Sequence, residues 1–199
     1  MQQPIVISGA GILGCYISCA LSLQGIDSIV LEKKDDEVED SVRTITLNPF
    51  SKNLLDKIGI ENDYSMINKM EVKDFDGTGK IVFKSSEIGM DHLAYVSDFA
   101  ALLMAVRKKA SEKILYKEEI IDIDNKGDLN EVTLSSGKVI KTNLIISSDG
   151  KNSKLANKIP KSDKDYFQTA LTFLASAEKD MNMSAFQIFS DNGLSLIHI

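Results

Sequence analysis

A chain of 199 residues with 43% hydrophobic content can bury a core of its own, which excludes a disordered tail or a fibre and predicts one globular domain with part of a second. Its 23 basic and 29 acidic residues leave a net charge of -6, and the basic residues stand in short groups such as Arg107-Lys108-Lys109 rather than in a stripe, so nucleic acid is not an expected partner. The two cysteines, Cys15 and Cys19, lie four apart on one expected helix face and read as small buried hydrophobes, which fits a reducing cytoplasm.

Residues 4–24 contain no charge, yet no Lys or Arg precedes them and Gly9, Gly11 and Gly14 interrupt them, so neither a secretory signal nor a membrane span is expected. Ile5-Val6-Ile7-Ser8 is a short apolar strand, residues 12–24 have helix-forming content with Gly25 as the stop, and residues 27–31 form a second buried strand. Together they make a βαβ unit with parallel strands, followed by a charged loop over 33–41. Asn48-Pro49 signals a helix start, and Phe50, Leu54, Leu55 and Ile58 give residues 50–58 an apolar face before Gly59. Residues 70–75 and 80–83 flank the turn Asp76-Gly77-Thr78-Gly79 as a β-hairpin. Ser97-Asp98 caps a helix reaching about residue 111, and short strands follow at 114–116, 119–123, 131–134, 139–141 and 144–146. Gly127 and the turn Ser135-Ser136-Gly137 separate the middle ones as in an antiparallel meander. The last six residues, Leu194-Ser195-Leu196-Ile197-His198-Ile199, fit poorly with what precedes them and resemble the translation of a transposon sequencing adapter. They are set aside on that reading, and with them any role for His198; the alternative is an ordinary strand.

A dinucleotide's diphosphate must approach backbone N–H groups at a helix N-terminus, where unpaired donors and the helix dipole favour negative charge, and side chains would block it. In the turn Gly9-Ala10-Gly11-Ile12-Leu13-Gly14, Gly9 permits the tight exit from the strand, Gly11 exposes backbone to the phosphate, and Gly14 lets the helix pack close. Glu32 ends the next strand, where a carboxylate accepts hydrogen bonds from ribose hydroxyls. This fingerprint does not distinguish FAD from NAD. Arg43, just past the charged loop, is either a phosphate- or adenosine-directed guanidinium or a surface arginine. Asp149-Gly150, after an apolar strand, is either a site acid or a plain turn before a helix capped by Ser153.

Gly9 to Gly14, Glu32, Arg43 within Asp40-x-x-Arg43-x-Ile45-x-Leu47, and residues 144–153 with their Asp149-Gly150 motif together resemble the aromatic-ring flavoprotein hydroxylases. Residues 44–60 and the strand 185–189 followed by Gly193 are similar to the ubiquinone-biosynthesis branch of that family. The resemblance covers residues 4–193. It implies an α/β fold, a Rossmann-like FAD-binding domain in which a parallel sheet carries a β-meander, plus the start of a β-sheet substrate domain. The cofactor-binding set it implies is Gly9, Gly11, Ile12, Leu13, Gly14, Glu32, Lys33, Arg43, Asp149 and Gly150, with Arg43 near the ADP moiety and Asp149 assisting the FAD.

In such enzymes NAD(P)H supplies electrons, oxygen supplies the hydroxyl, and an electron-rich ring receives it, while the protein positions, shields from water and activates the phenol. No His, Cys or carboxylate constellation here needs to be catalytic, no metal site is expected, and His92 reads as an ordinary surface or core histidine. Ser148 departs from the alanine of many relatives, and the family's second FAD motif is expected downstream of residue 193, so the resemblance implies an N-terminal piece that is inactive alone.

The expected division is an FAD-binding domain over 1–64 and 92–160 and a partial substrate domain over 65–91 and 161–193. The implied partners are a small aromatic substrate, a polyprenylated phenol, and oxygen. Peripheral contact at the inner face of the membrane and association with other quinone-biosynthesis enzymes follow only by analogy. The rival readings are a halogenase or prenyl reductase on the same FAD scaffold, an NAD-binding regulatory module without redox chemistry, and an inert fragment.

Overall fold

Fourteen strands, three α-helices and two short 3-10 helices are formed by the residues that the computed structural model describes, 3–39, 42–150, 153, 155 and 164–198. In chain order the strands and α-helices are β1 (Ile5–Ser8), α1 (Ile12–Leu23), β2 (Ser28–Glu32), β3 (Thr44–Leu47), α2 (Pro49–Lys57), β4 (Ser65–Ile67), β5 (Lys69–Asp74), β6 (Lys80–Lys84) and β7 (Ala94–Asp98). Then come α3 (Phe99–Ala110), β8 (Ile114–Tyr116), β9 (Ile120–Asn125), β10 (Asn130–Leu134), β11 (Val139–Thr142), β12 (Ile145–Ser147), β13 (Ser184–Ser190) and β14 (Gly193–Ile197). Two compact units result, residues 1–40 with 102–170 and residues 41–101 with 171–199, and the boundary falls inside α3.

The first unit is layered on a parallel sheet of order β12-β1-β2-β8. Its strands are short and apolar because both faces are covered. On one face Val6, Leu31 and the partly buried Ile29, Leu115 and Ile145 meet Ile120, Val132, Leu134 and Ile140 of the antiparallel meander β9-β10-β11. On the other face lies α1, whose Ser18 and Ser28 of β2 share a buried hydroxyl–hydroxyl bond of 2.8 Å. Cys15 and Cys19 are free thiols buried on the same helix, and desolvation pushes Cys15 up to about 12, so it is a neutral packing group at physiological pH.

The run of strands after α3 divides between two sheets. The middle three form the meander, whereas the first and last, β8 and β12, join the parallel sheet. The tight turns at Gly127 and Gly137, both at positive φ, carry only the β9–β10 and β10–β11 connections. Between β11 and β12 the Thr142 hydroxyl bonds the Leu144 carbonyl at 2.8 Å, a local contact that ends the antiparallel ladder and releases the apolar residues that follow to pair with β1.

The second unit holds an antiparallel sheet β3-β7-β4 and a mixed sheet β14-β13-β5-β6, with Ile67, Val96 and Ala185 at its core and Met70 and Ala94 against them. The expected hairpin is β5–β6, and the expected strand at 185–189 is β13, interior to its sheet and parallel to β5. Helix α2 starts as its sequence predicts: Asn48 Oδ1 accepts the Ser51 N–H at 2.7 Å and Pro49 occupies the first turn. Residues 194–197 lie in β14, an edge strand antiparallel to β13 and exposed throughout. Among the described residues no helix is long and apolar enough to cross a membrane.

Candidate functional site

In an open parallel sheet the carboxyl ends of neighbouring strands whose connections leave in opposite directions form a crevice. In the first unit β1 sits between β2 and β12, so the tips of those three strands bring the glycine turn, Glu32 and the Asp149-Gly150 segment to one edge.

The three glycines of the turn are glycine for different reasons. Gly9 has φ +102°, and a Cβ there would lie 2.7 Å from the Ser148 carbonyl oxygen and 2.8 Å from the Asp149 Cα, because β12 leads its chain directly over the end of β1. At Gly14 a Cβ would come within 2.0 Å of the Gly9 carbonyl oxygen and 2.6 Å of the Ser148 hydroxyl, so helix and turn could not close. Gly11 is the contrast, since a Cβ there would meet nothing within 4 Å. Protein packing therefore does not require glycine at that position, which is the pattern expected where backbone is kept bare for a ligand.

Gly11 is also the N-cap of α1, with no side-chain cap and no acidic residue in the first turn. Helix starts leave N–H donors without intrahelical partners, a need that a bound anion can meet. Ile12 and Leu13 form the first turn, with Leu13 62% exposed beside these donors.

Glu32 is held at the tip of β2. Its Oε2 accepts the Ala10 N–H at 3.1 Å and its Oε1 accepts the Lys34 N–H at 3.1 Å, so the carboxylate is tied to the glycine turn before any ligand arrives. Lys33, also expected in the set, is exposed, and it is Lys34 whose amide reaches Glu32.

On the other side of β1, the Ser148 amide continues the strand ladder to the Ser8 carbonyl at 2.8 Å, and its hydroxyl lies 2.9 Å from the Ser8 carbonyl and 3.0 Å from that of Gly9. The serine that looked like a mild departure thus stitches β12 to the turn. Asp149 Oδ1 accepts the Ser147 hydroxyl at 2.6 Å, and Ser147 in turn lies 2.9 Å from the Ser153 hydroxyl. Gly150 has φ +77°, which favours glycine. Arg43 belongs to the second unit, where its guanidinium stands 4.0 Å from the centre of the Phe99 ring and its carbonyl accepts the Phe99 N–H.

One residue of the site was not singled out from sequence. Arg107, in the part of α3 that belongs to the first unit, donates from Nε to the Ala10 carbonyl at 2.9 Å and places Nη2 3.5 Å from Glu32 Oε2. No local pattern marks it, because it reaches the turn only through the packing of α3. Among the described residues no group of three or more His, Cys, Asp or Glu is placed to hold a metal ion. His92 is engaged by the Asn68 side chain and stacks edge-on to Tyr95 at 5.3 Å within the second unit.

The family described as "FAD binding domain" matches residues 2–187. Among curated proteins the chain is 27% identical to the ubiquinone biosynthesis monooxygenase COQ6, mitochondrial, of Danio rerio, over 95% of this chain and 45% of that one. It is 26% identical to the 3-demethoxyubiquinol 3-hydroxylase of Escherichia coli K12, over 96% of this chain and 54% of that one. The chain thus spans about half the length of these curated relatives. Among solved structures, a P. aeruginosa PqsL mutant shares the fold with a TM-score of 0.71 at 20% identity, covering 83% of this chain and 48% of that one. The p-nitrophenol 4-monooxygenase PnpA of Pseudomonas putida DLL-E4 shares it with a TM-score of 0.65 at 17% identity, covering 79% and 43%. With a family match that runs over nearly its whole length, this chain belongs to the FAD binding domain family.

Proposed function

We propose that this chain holds the ADP half of FAD at the tips of β1, β2 and β12, as part of a monooxygenase that hydroxylates a polyprenylated phenol in ubiquinone biosynthesis. The observation that carries the reading is Gly11, which stands bare at an uncapped helix start between two sterically required glycines, with Glu32 tied to the same turn. The diphosphate is bound by the turn over Gly9, Gly11, Ile12, Leu13 and Gly14, and Glu32 takes the ribose hydroxyls. Lys33 contributes positive charge toward the ADP moiety, and Asp149 and Gly150 close the cofactor site from the β12 side; a role for Arg43 rests on the family resemblance alone. The division into an FAD-binding domain over 1–64 and 92–160 and a partial substrate domain over 65–91 and 161–193 belongs to the same proposal.

Bound flavin supplies the redox chemistry, with NAD(P)H as the electron donor and oxygen as co-substrate. The residues of this chain bind and orient it. The names of the curated relatives support the substrate class, and peripheral membrane contact or association with other quinone-biosynthesis enzymes would follow from a lipid-resident substrate. The test is a polypeptide extended past residue 193 to the relatives' length and loaded with FAD. It is expected to consume NAD(P)H and oxygen with a polyprenylated phenol and to return a product one oxygen atom heavier. Flavin-loaded protein that oxidises NAD(P)H but never alters such a phenol would contradict the substrate reading.

A further inference from the structure

Arg107 is a charged side chain only 11% exposed, and beside the Tyr116 ring its polar contacts go to two backbone carbonyls and one carboxylate. Its Nε donates to the Ala10 carbonyl at 2.9 Å, its Nη1 donates to the Asp36 carbonyl at 3.4 Å, and its Nη2 lies 3.5 Å from Glu32 Oε2. The same Glu32 oxygen accepts the Ala10 N–H at 3.1 Å. Ala10, fully buried, therefore has its N–H held by Glu32 and its carbonyl held by Arg107, while the two side chains pair with each other.

The consequence lies one atom further along the chain. No cis peptide occurs among the described residues, and in a planar trans peptide a carbonyl and the N–H of the next residue point in opposite directions. Fixing the Ala10 carbonyl on the guanidinium therefore fixes the Gly11 N–H pointing away from Arg107, at the residue whose missing side chain leaves open space. A guanidinium fork suits this task because it can serve a carbonyl and a carboxylate in one rigid plane, which an ammonium cannot.

We propose that Arg107 is the positioning residue of the FAD site: through the Ala10 carbonyl it aims the Gly11 amide at the diphosphate, and through Glu32 it sets the carboxylate that takes the ribose hydroxyls. The proposal rests on the reading of Glu32 and the glycine turn given above. Arg107 itself does not touch the cofactor.

The test is equilibrium titration of the purified chain with FAD, followed by flavin fluorescence and repeated with ADP in competition, on the wild type, Arg107→Met, Arg107→Lys, Glu32→Gln and the Arg107→Met/Glu32→Gln double variant. Arg107→Met is expected to weaken FAD and ADP alike by about tenfold, the scale of one charge-assisted hydrogen bond. The double variant is expected to lose little more than the worse single one, because both act through one arrangement. Arg107→Lys, with charge but no fork, is expected to recover part of the affinity. Losses that multiply in the double variant, or an Arg107→Met chain that binds as the wild type does, would overturn this inference while leaving the site intact. A Glu32→Gln chain that binds FAD normally would instead remove the ribose reading on which it rests. Should Arg107→Met fail to fold, Arg107→Lys decides: wild-type affinity there overturns the proposal, and a loss of about threefold in both FAD and ADP upholds it.

Discussion

Gly14 has the least room of the site's glycines, since a Cβ there would stand 2.0 Å from the Gly9 carbonyl oxygen, a backbone atom that cannot swing aside. Gly14→Ala gains about 1 kcal/mol of helix propensity but overpacks the turn by more than that. A net loss of about 2 kcal/mol is expected, seen as a melting temperature lowered by roughly 4–8 °C in the ligand-free chain. An unchanged melting temperature would mean the turn is looser than its geometry. The glycines, Glu32 and the Asp149-Gly150 pair were legible in the sequence because their spacing follows from phosphate geometry and strand length, both local matters. Arg107 and the structural use of the Ser148 hydroxyl were not, because each meets the turn from an element far along the chain.

At the scale of elements, local signals located helices and hairpins but not sheet membership. Asn48-Pro49 and Asp98 announced α2 and α3, and Asp98 Oδ1 does accept the Ala101 N–H at 2.7 Å. By contrast β3, β4 and β7 went unread, being short strands that acquire their pairing only from each other across long stretches of chain. Strand β5 carries a feature of its own: Lys69, Glu71 and Lys73 alternate onto one face, and Lys80 comes across from β6. Three ammonium groups thus surround the buried Glu71 carboxylate, with Lys73 at 2.8 Å, Lys80 at 3.0 Å and Lys69 at 3.2 Å. Hydrogen bonds from Lys73 and then Lys80 hold the carboxyl down at about 2.

A carboxyl depressed in the folded state contributes stability that is fully present above its unfolded value, near about 4.3, and that is lost as pH falls toward 2. In urea unfolding, the midpoint of Glu71→Gln is therefore expected to lie below that of the wild type at pH 6 and to converge on it as pH falls through this window. A gap that stays constant down to pH 2 would show that the lysines do not stabilise the ionised form.

For the whole molecule, the α/β class and the βαβ start were readable because an apolar strand, a glycine turn, a helix and a second strand follow each other without interruption. The meander was readable, but the sheet that the flanking strands β8 and β12 join was not, since their pairings with β2 and β1 are long-range. The account as a whole depends on Gly11 being bare for the sake of a ligand rather than for the fold. Titration of wild-type and Gly11→Ala chains with FAD, beside their ligand-free melting curves, measures that directly. The account predicts that the wild type binds FAD and that Gly11→Ala binds it at least about tenfold more weakly, while its ligand-free melting temperature stays within about 4 °C, the cost of a changed helix cap. Equal FAD affinity in the two chains, or no FAD binding by the wild type, would contradict it.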